Sequence, residues 1–60
     1  MTKEMKSAII EAVKIANEQT LFEGYDWLDD QIPNEIWENS EEWKEIAGTF
    51  YAMTNALGMW

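Results

Sequence analysis

One long amphipathic helix is predicted over residues 40–58, SEEWKEIAGTFYAMTNALG, and the rest of the chain is expected to pack around it. Ser40 is a suitable N-cap, because its hydroxyl can accept a hydrogen bond from an amide of the first turn. Gly58 is a natural stop signal. Mostly apolar residues recur every three or four positions and define a stripe that should be buried. They are Trp43, Ile46, Ala47, Phe50, Met53, Thr54 and Leu57.

A second long helix is predicted from a Thr2 cap to about Gln19. Its broad apolar stripe consists of Met5, Ala8, Ile9, Ala12, Val13, Ile15 and Ala16. The opposite face carries charged residues at spacings of three and four, which is typical of a solvated helix surface. We therefore expect this helix to act as scaffold.

The middle of the chain is predicted to form short helical pieces. The turn after the first helix is assigned to Leu21, Phe22 and Gly24. Residues 25–31 then form a short helix with Asp26 as its cap, which Pro33 closes, and residues 35–38 form one more turn. Asn39 and Ser40 make the bend before the last helix.

The expected fold is all-α, with residues 1–60 forming a single acidic helical domain. It is a small helical bundle of two long antiparallel helices, and a short helical segment, residues 25–38, crosses one end of the pair. That segment is expected to cover the core with Trp27, Leu28, Ile32, Ile36 and Trp37.

Composition limits the classes of function. A chain of 60 residues removes only about 60% of its unfolded surface from water on folding. Four Trp, two Tyr and two Phe compensate with large buried areas. Without Cys or His, the usual zinc site and general base are missing. We expect no cofactor, no metal and no catalytic residue, and a cytoplasmic protein, because no apolar run reaches the ~20 residues of a membrane span.

The net charge of −8 is concentrated in one part of the chain. Residues 23–45 contain nine acidic residues against Lys44 alone, whereas residues 46–60 contain no charged side chain. Such a balance disfavours direct binding to nucleic acid or to an anionic membrane. It favours a basic protein as the partner.

Eight of these acids are the candidate partner-binding residues: Asp26, Asp29, Asp30, Glu35, Glu38, Glu41, Glu42 and Glu45. A calcium loop is disfavoured, because D-W-L-D-D lacks the alternation and the glycine of an EF-hand. A glycosidase-like carboxylate pair needs a cleft that so short a chain has little room for. Two readings stay open: a functional negative surface, or the ordinary solvated face of an acidic protein. Like-charge pairs three or four residues apart, namely Glu38/Glu41, Glu38/Glu42, Glu41/Glu45 and Glu42/Glu45, cost a few tenths of a kcal/mol each where the helix is continuous, which favours the first reading.

Two further groups of residues have alternative readings. The aromatic residues Tyr25, Trp27, Trp37 and Trp43 could form an exposed recognition surface, but Trp37 and Trp43 are expected in the core of so small a domain. Trp60 either packs back or frays. Gly48, Ala52 and Ala56 form a stripe of small residues that would allow self-association through close helix contact, or an exposed face of no particular use.

The eight acids, the all-helical pattern and the lack of catalytic residues resemble the small acidic DNA-mimic proteins of phages, the antirestriction and anti-CRISPR inhibitors. The stretch Trp27-Leu28-Asp29-Asp30-Gln31-Ile32 and the later Phe50-Tyr51-Ala52 are similar to small phage proteins of that kind. The likeness spans residues 25–52, is compositional and contains no diagnostic motif, so no site residues are carried over from it. It implies carboxylates that stand in for DNA phosphates in the groove of a host defence protein, and a location in the host cytoplasm.

Two functions are therefore expected from the sequence. The first is a non-enzymatic, phage-type inhibitor that binds a basic nucleic-acid-binding protein through its carboxylates. The alternative is an acidic helical adaptor or antitoxin-like module that acts through its Trp-rich face and forms a homodimer through the small-residue stripe.

Overall fold

Four helices make up the described part of the chain, residues 1–59, in a computed structural model. They are α1 (Lys3–Glu18), α2 (Leu21–Gln31), α3 (Asn34–Trp37) and α4 (Ser40–Ala56). The all-α fold expected from the sequence is confirmed. Trp60, whose packing was left open, lies outside the described residues.

Each of the three longer helices begins at a side chain that accepts a hydrogen bond from the first turn. Thr2 accepts from the Met5 amide, as predicted, at 3.2 Å. Asn39 caps α4 by accepting from the Glu42 amide at 3.3 Å, so the prediction of Ser40 as the cap is wrong by one residue. Asn and Ser are equally good caps, and only the extended backbone of Asn39 distinguishes them.

The start of α2 is the main error in the predicted elements. Thr20 accepts a hydrogen bond from the Glu23 amide and caps the helix, so Leu21, Phe22 and Gly24 are helical and form no turn. Asp26 therefore lies inside the helix and is not its cap. The reversal takes only Gln19 and Thr20. Glycine signalled a turn in the sequence, but Gly24 has another purpose in the structure.

Gly24 allows α1 and α2 to approach closely. It is buried, and a Cβ atom built on it would lie 2.5 Å from the carbonyl oxygen of Ala12 and 2.7 Å from the Cβ of Ala16. No side chain fits there, because contacts below 3.0 Å require something to shift. The chain therefore doubles back so that α2 packs along α1, its neighbour in sequence.

The ends of α2 and α4 follow the predicted signals. Ile32, before Pro33, leaves the helical region at φ −82° and ψ 119°. Pro33 is the N-cap residue of α3, which begins at Asn34, one position earlier than the predicted turn at residues 35–38. At Gly58, where φ is 76°, the amide donates to the Asn55 carbonyl, and the Met59 amide donates to that of Thr54. These two bonds form a Schellman motif and confirm the stop.

The core is one cluster of apolar side chains from α1, α2 and α4, with Ile32 from the α2–α3 link. Its buried members are Met5, Ala8, Ile9, Ala12, Val13, Ala16, Leu28, Ile32, Ile46 and Phe50. Thr54 is also buried, and its hydroxyl donates to the Phe50 carbonyl at 2.8 Å. Ile15, Trp43, Ala47, Met53, Trp27 and Ile36 are half-buried.

Two predicted core residues are exposed instead. Leu57 has 60% of its surface accessible, because it is the C-cap residue, where the chain leaves α4. Trp37 is 40% exposed, since it lies in the single turn of α3 and packs on one side against Trp43, with ring centroids 5.8 Å apart. The expectation of core packing therefore holds only in part for this aromatic pair.

One contact between helix ends shows the relative directions of α1 and α4. The amino nitrogen of Met1 lies 3.7 Å from Oε1 of Glu42, so α1 and α4 begin at the same end of the bundle. In the chain, α2 follows α1 and runs back along it. The antiparallel partner of α1 is therefore α2, and the prediction that the two long helices, α1 and α4, form the antiparallel pair is wrong. No helix within residues 1–59 is both long and apolar enough to cross a membrane.

Candidate functional site

Because α2 runs antiparallel to α1, the eight candidate acids lie towards one end of the bundle. Tyr25, early in α2, packs against Phe50 in the second half of α4, with ring centroids 5.9 Å apart. Further along, Trp37 packs against Trp43 at the beginning of α4. The second half of α2, all of α3 and the first half of α4 therefore lie together. We call this region the acidic end; it contains Asp26, Asp29, Asp30, Glu35, Glu38, Glu41, Glu42 and Glu45.

Within the acidic end, the three aspartates of α2 form the clearest electrostatic group. Asp26 and Asp30 are exposed, and Asp29 is half-buried between them in sequence. Burial raises the pKa of Asp29 above its ordinary value, and the nearby charges of Asp26 and Asp30 raise it further. Burial is the larger cause of this raised pKa, and the part due to Asp26 and Asp30 reflects their negative charges. These three residues, named here the aspartate triad, therefore produce a concentrated negative potential.

The glutamates of α4 lie in a more balanced setting. Glu42 points towards the amino group of Met1, and this is the one ion pair within 4 Å among residues 1–59. Glu45 lines a groove of about 380 Å³ between α1 and α4, in which Lys6 also lies. Glu41 is exposed and does not line this groove. The start of α1 therefore offsets part of the charge on this side of the acidic end.

The remaining two candidates lie in the short helix α3 and directly after it. Glu35 and Glu38 are both exposed. The helix is interrupted here, because Glu38 is the C-cap residue of α3 and Asn39 is the N-cap of α4. The like-charge pairs that the sequence suggested between Glu38 and the first turn of α4 are thus not pairs on a continuous helix.

The predicted small-residue stripe lies on an open surface. Gly48, Ala52 and Ala56 are all exposed, and a Cβ built on Gly48 would have no neighbour within 4 Å. The close helix contact that such residues permit is instead made by Gly24, on α2. Self-association through α4 stays a prediction.

A second feature was not predicted from the sequence: an aromatic groove between α2 and α4. It has a volume of about 390 Å³ and is lined by Leu21, Phe22, Tyr25 and Tyr51. Phe22 is 75% exposed and Tyr51 42%. The assignment of residues 21–24 to a turn concealed it. Had Thr20 been recognised as the cap, the helical spacing of Phe22 and Asp26 would have placed an exposed ring beside the aspartate triad.

The floor of the aromatic groove is fixed by contacts between rings. Fully buried Phe50 lies against Tyr25 at 5.9 Å and against Tyr51 at 6.2 Å, with the rings steeply inclined. The Tyr25 and Tyr51 rings also contact each other, with centroids 5.9 Å apart. Burial, then the Asp29 charge, then Tyr51 raise the pKa of Tyr25. The groove is therefore held by the core and is in electrostatic contact with the aspartate triad.

No group of three or more Asp or Glu side chains within residues 1–59 is arranged to hold a metal ion. Comparisons with known proteins add no relative: no protein-family model matches the chain, and searches of curated proteins and of solved structures found no match. The site is therefore interpreted from its own geometry.

Proposed function

We propose that this protein is a non-enzymatic binding module that inhibits a basic, nucleic-acid-binding protein by presenting carboxylates in place of DNA phosphates. The observation that carries the proposal is the placement of the three aspartates of the triad on one short helix, beside α3 and the first half of α4. The positively charged groove of a nucleic-acid-binding protein is complementary to such a surface.

The electrostatics of the triad support this choice of partner. Asp26 and Asp30 are exposed, and neither is in an ion pair with a residue among 1–59. The like charges of the triad repel one another. Lys or Arg of a partner would lower this repulsive electrostatic energy on approach. The pKa of Asp29 is raised mainly by burial and, after it, by the charges of Asp26 and Asp30.

The inhibitor reading also fits the distribution of charge along the chain. Nine acidic residues fall within residues 23–45, and no charged side chain follows them. DNA itself carries one negative charge per about 1.7 Å of helix axis, and proteins that bind it do so largely through this charge. A phage origin and a defence protein as target come with the resemblance to DNA-mimic inhibitors and form part of the proposal.

The second candidate function is that of an adaptor or antitoxin-like module that binds through aromatic side chains. One observation favours it: Trp37 keeps 40% of its surface exposed although it packs against Trp43. Exposed Trp residues are common anchors of protein interfaces. In this reading the acids serve solubility, and a homodimer would use the open face at Gly48.

Capture experiments distinguish the two functions. The full chain, immobilised through an added tag, is exposed to lysate of a candidate host at low and at physiological salt. The inhibitor reading expects nucleic-acid-binding proteins that are released as salt rises, and whose binding to DNA the protein then blocks in a purified assay. Salt-resistant capture of proteins whose DNA binding is unaffected would support the adaptor and contradict the inhibitor.

A further inference from the structure

The aromatic groove is an apolar feature of the surface, formed by side chains of α2 and α4. Leu21, Phe22, Tyr25 and Tyr51 line it, and Phe22 leaves three quarters of its surface in water. Isolated exposed apolar residues are normal, whereas several that converge on one groove mark an interaction site. In so small a domain, apolar side chains grouped on the surface indicate that another molecule binds there.

We propose that the groove receives an apolar side chain of a basic amphipathic helix in the protein's partner. The inference rests on the proposed function and specifies what part of the partner is recognised. The volume of about 390 Å³ is at the small end of the range for ligand pockets and accommodates one or two large side chains.

Charge complementarity identifies the occupant as basic. Asp26 follows Phe22 by one helical turn, and Asp29 follows Tyr25 by one turn, so carboxylates border the groove along α2. Asp29 is close enough to Tyr25 for its charge to raise the pKa of that phenol. Asp26 and Asp30 lie four and eight residues after Phe22, so a partner side chain in the groove would be followed about 6 Å and about 12 Å further along α2 by negative charge.

A helical occupant matches this spacing. On a helix, residues one and two turns from an apolar anchor lie on the same face at those distances. An amphipathic helix with an apolar anchor and Lys or Arg one and two turns away therefore matches the groove and the triad together. A second copy of the chain is a poor match, because its net charge is −8 and it has only four Lys.

The fixed ring contacts explain how the groove would bind at low entropic cost. Buried Phe50 contacts both Tyr25 and Tyr51, and the two tyrosine rings contact each other. Phe22, on the rim, leaves 75% of its surface exposed and available to a bound side chain. Aromatic residues placed in this way are the usual dominant anchors of helix-binding surfaces.

The test uses synthetic peptides as probes. Peptides of about 18 residues are long enough to form helix. The first has a Leu stripe flanked by Lys, the second has Gln in place of Leu, and the third has Glu in place of Lys. Binding of each is measured by fluorescence anisotropy at low and physiological salt. We expect the Leu–Lys peptide to bind and both replacements to weaken it at least tenfold.

Variants of the protein locate the binding to the groove. Phe22→Ala should weaken the Leu–Lys peptide by roughly 30-fold, as at an aromatic hot spot. Ile10→Ala is the matched control, since Ile10 is 56% exposed but lines the other groove, between α1 and α4. Because Phe22 is largely exposed, its replacement should leave the helical circular dichroism spectrum and the melting temperature nearly unchanged.

Different failures have different meanings. Equal binding of the Leu–Lys peptide by wild type and Phe22→Ala would overturn the inference that the groove binds the partner. The proposed function would still stand if neutralising the triad abolished binding. Equal binding after neutralisation of the triad would overturn the proposed function itself. If Phe22→Ala instead converted a dimer into a monomer in sedimentation, the occupant would be a second copy and the inference of a basic helix would be wrong.

Discussion

The backbone of Gly24 lies directly against Ala12, where a Cβ on Gly24 would stand 2.5 Å from the Ala12 carbonyl oxygen. This contact joins α1 and α2 and determines where the rest of α2 lies. Tyr25 follows Gly24 and points to α4, and the aspartate triad begins at the next residue. The position of the candidate site therefore depends on the absence of one side chain.

Gly24→Ala should destabilise the protein strongly. The new methyl group meets backbone atoms of Ala12 and Ala16 that cannot move without separating the helices. Overpacking of this kind costs about 1–3 kcal/mol, which outweighs the gain in helix propensity. In a domain this small each kcal/mol corresponds to about 4–8 °C in melting temperature.

Gly48→Ala is the matched control for that change. A Cβ at Gly48 has no neighbour within 4 Å, so the substitution should stabilise α4 by up to ~1 kcal/mol. Thermal melts followed by circular dichroism compare the two variants. If both shifted the melting temperature in the same direction, the close contact between α1 and α2 would be wrong.

Mild acid should strengthen the fold through Asp29. Its pKa is raised in the folded state by burial and by Asp26 and Asp30, so between about pH 3.9 and the raised value the folded chain binds more protons than the unfolded one. Stability contributed by this group falls as pH rises through that window. Asp29→Asn should therefore be more stable than wild type at neutral pH, and the difference should shrink on acidification.

Denaturant titrations across that pH range measure this effect. Asp30→Asn serves as a comparison for simple removal of one exposed charge, because Asp30 is on the same helix but exposed. An Asp29→Asn variant less stable than wild type at pH 7 would mean that the Asp29 carboxylate is stabilised by the fold, contrary to the geometry described above.

Self-association, if it occurs, is predicted to use the open face of α4. Gly48→Leu adds a side chain that meets nothing within the chain, so the folded monomer should tolerate it. A second helix could no longer approach closely, and any dimer should dissociate. Sedimentation of wild type and variant checks this; a dimer that survives the change must use another surface.

The sequence predicted the helices better than their pairing. The stripe of α1 was read correctly from its spacing, since all of its residues except Ile15 are buried. Pro33 and Gly58 act locally, and their effects on the chain were also predicted correctly. What determines the pairing is a contact between Gly24 and Ala12, distant in sequence, and glycine is at once a turn signal and a helix-contact signal.

The candidate site was predictable to a similar degree. The net charge of residues 23–45 identified the acids, and the fold places them towards one end. Their separation into an aspartate triad and a partly offset set could not be predicted, because it depends on Met1 and Lys6 of α1 lying beside α4. The aromatic groove was missed because it needs Phe22 and Tyr51, from separate helices, on the same side.

The central claim is that carboxylates of the acidic end carry binding, and one titration tests it most directly. The triad variant replaces three residues with Asn: Asp26, Asp29 and Asp30. Its control replaces three exposed acids outside the group of eight with Gln, namely Glu11, Glu18 and Glu23. Both variants have the same net charge, so a difference between them reports position and not total charge.

The measurement is the affinity of each variant for the captured nucleic-acid-binding partner at low and physiological salt. We predict that the triad variant binds at least tenfold more weakly than the control, mainly through slower association, and with a flatter salt dependence. Equal affinity of the triad variant, the control and wild type at both salt concentrations would contradict the account, and the acids would then be a coat that keeps the protein soluble.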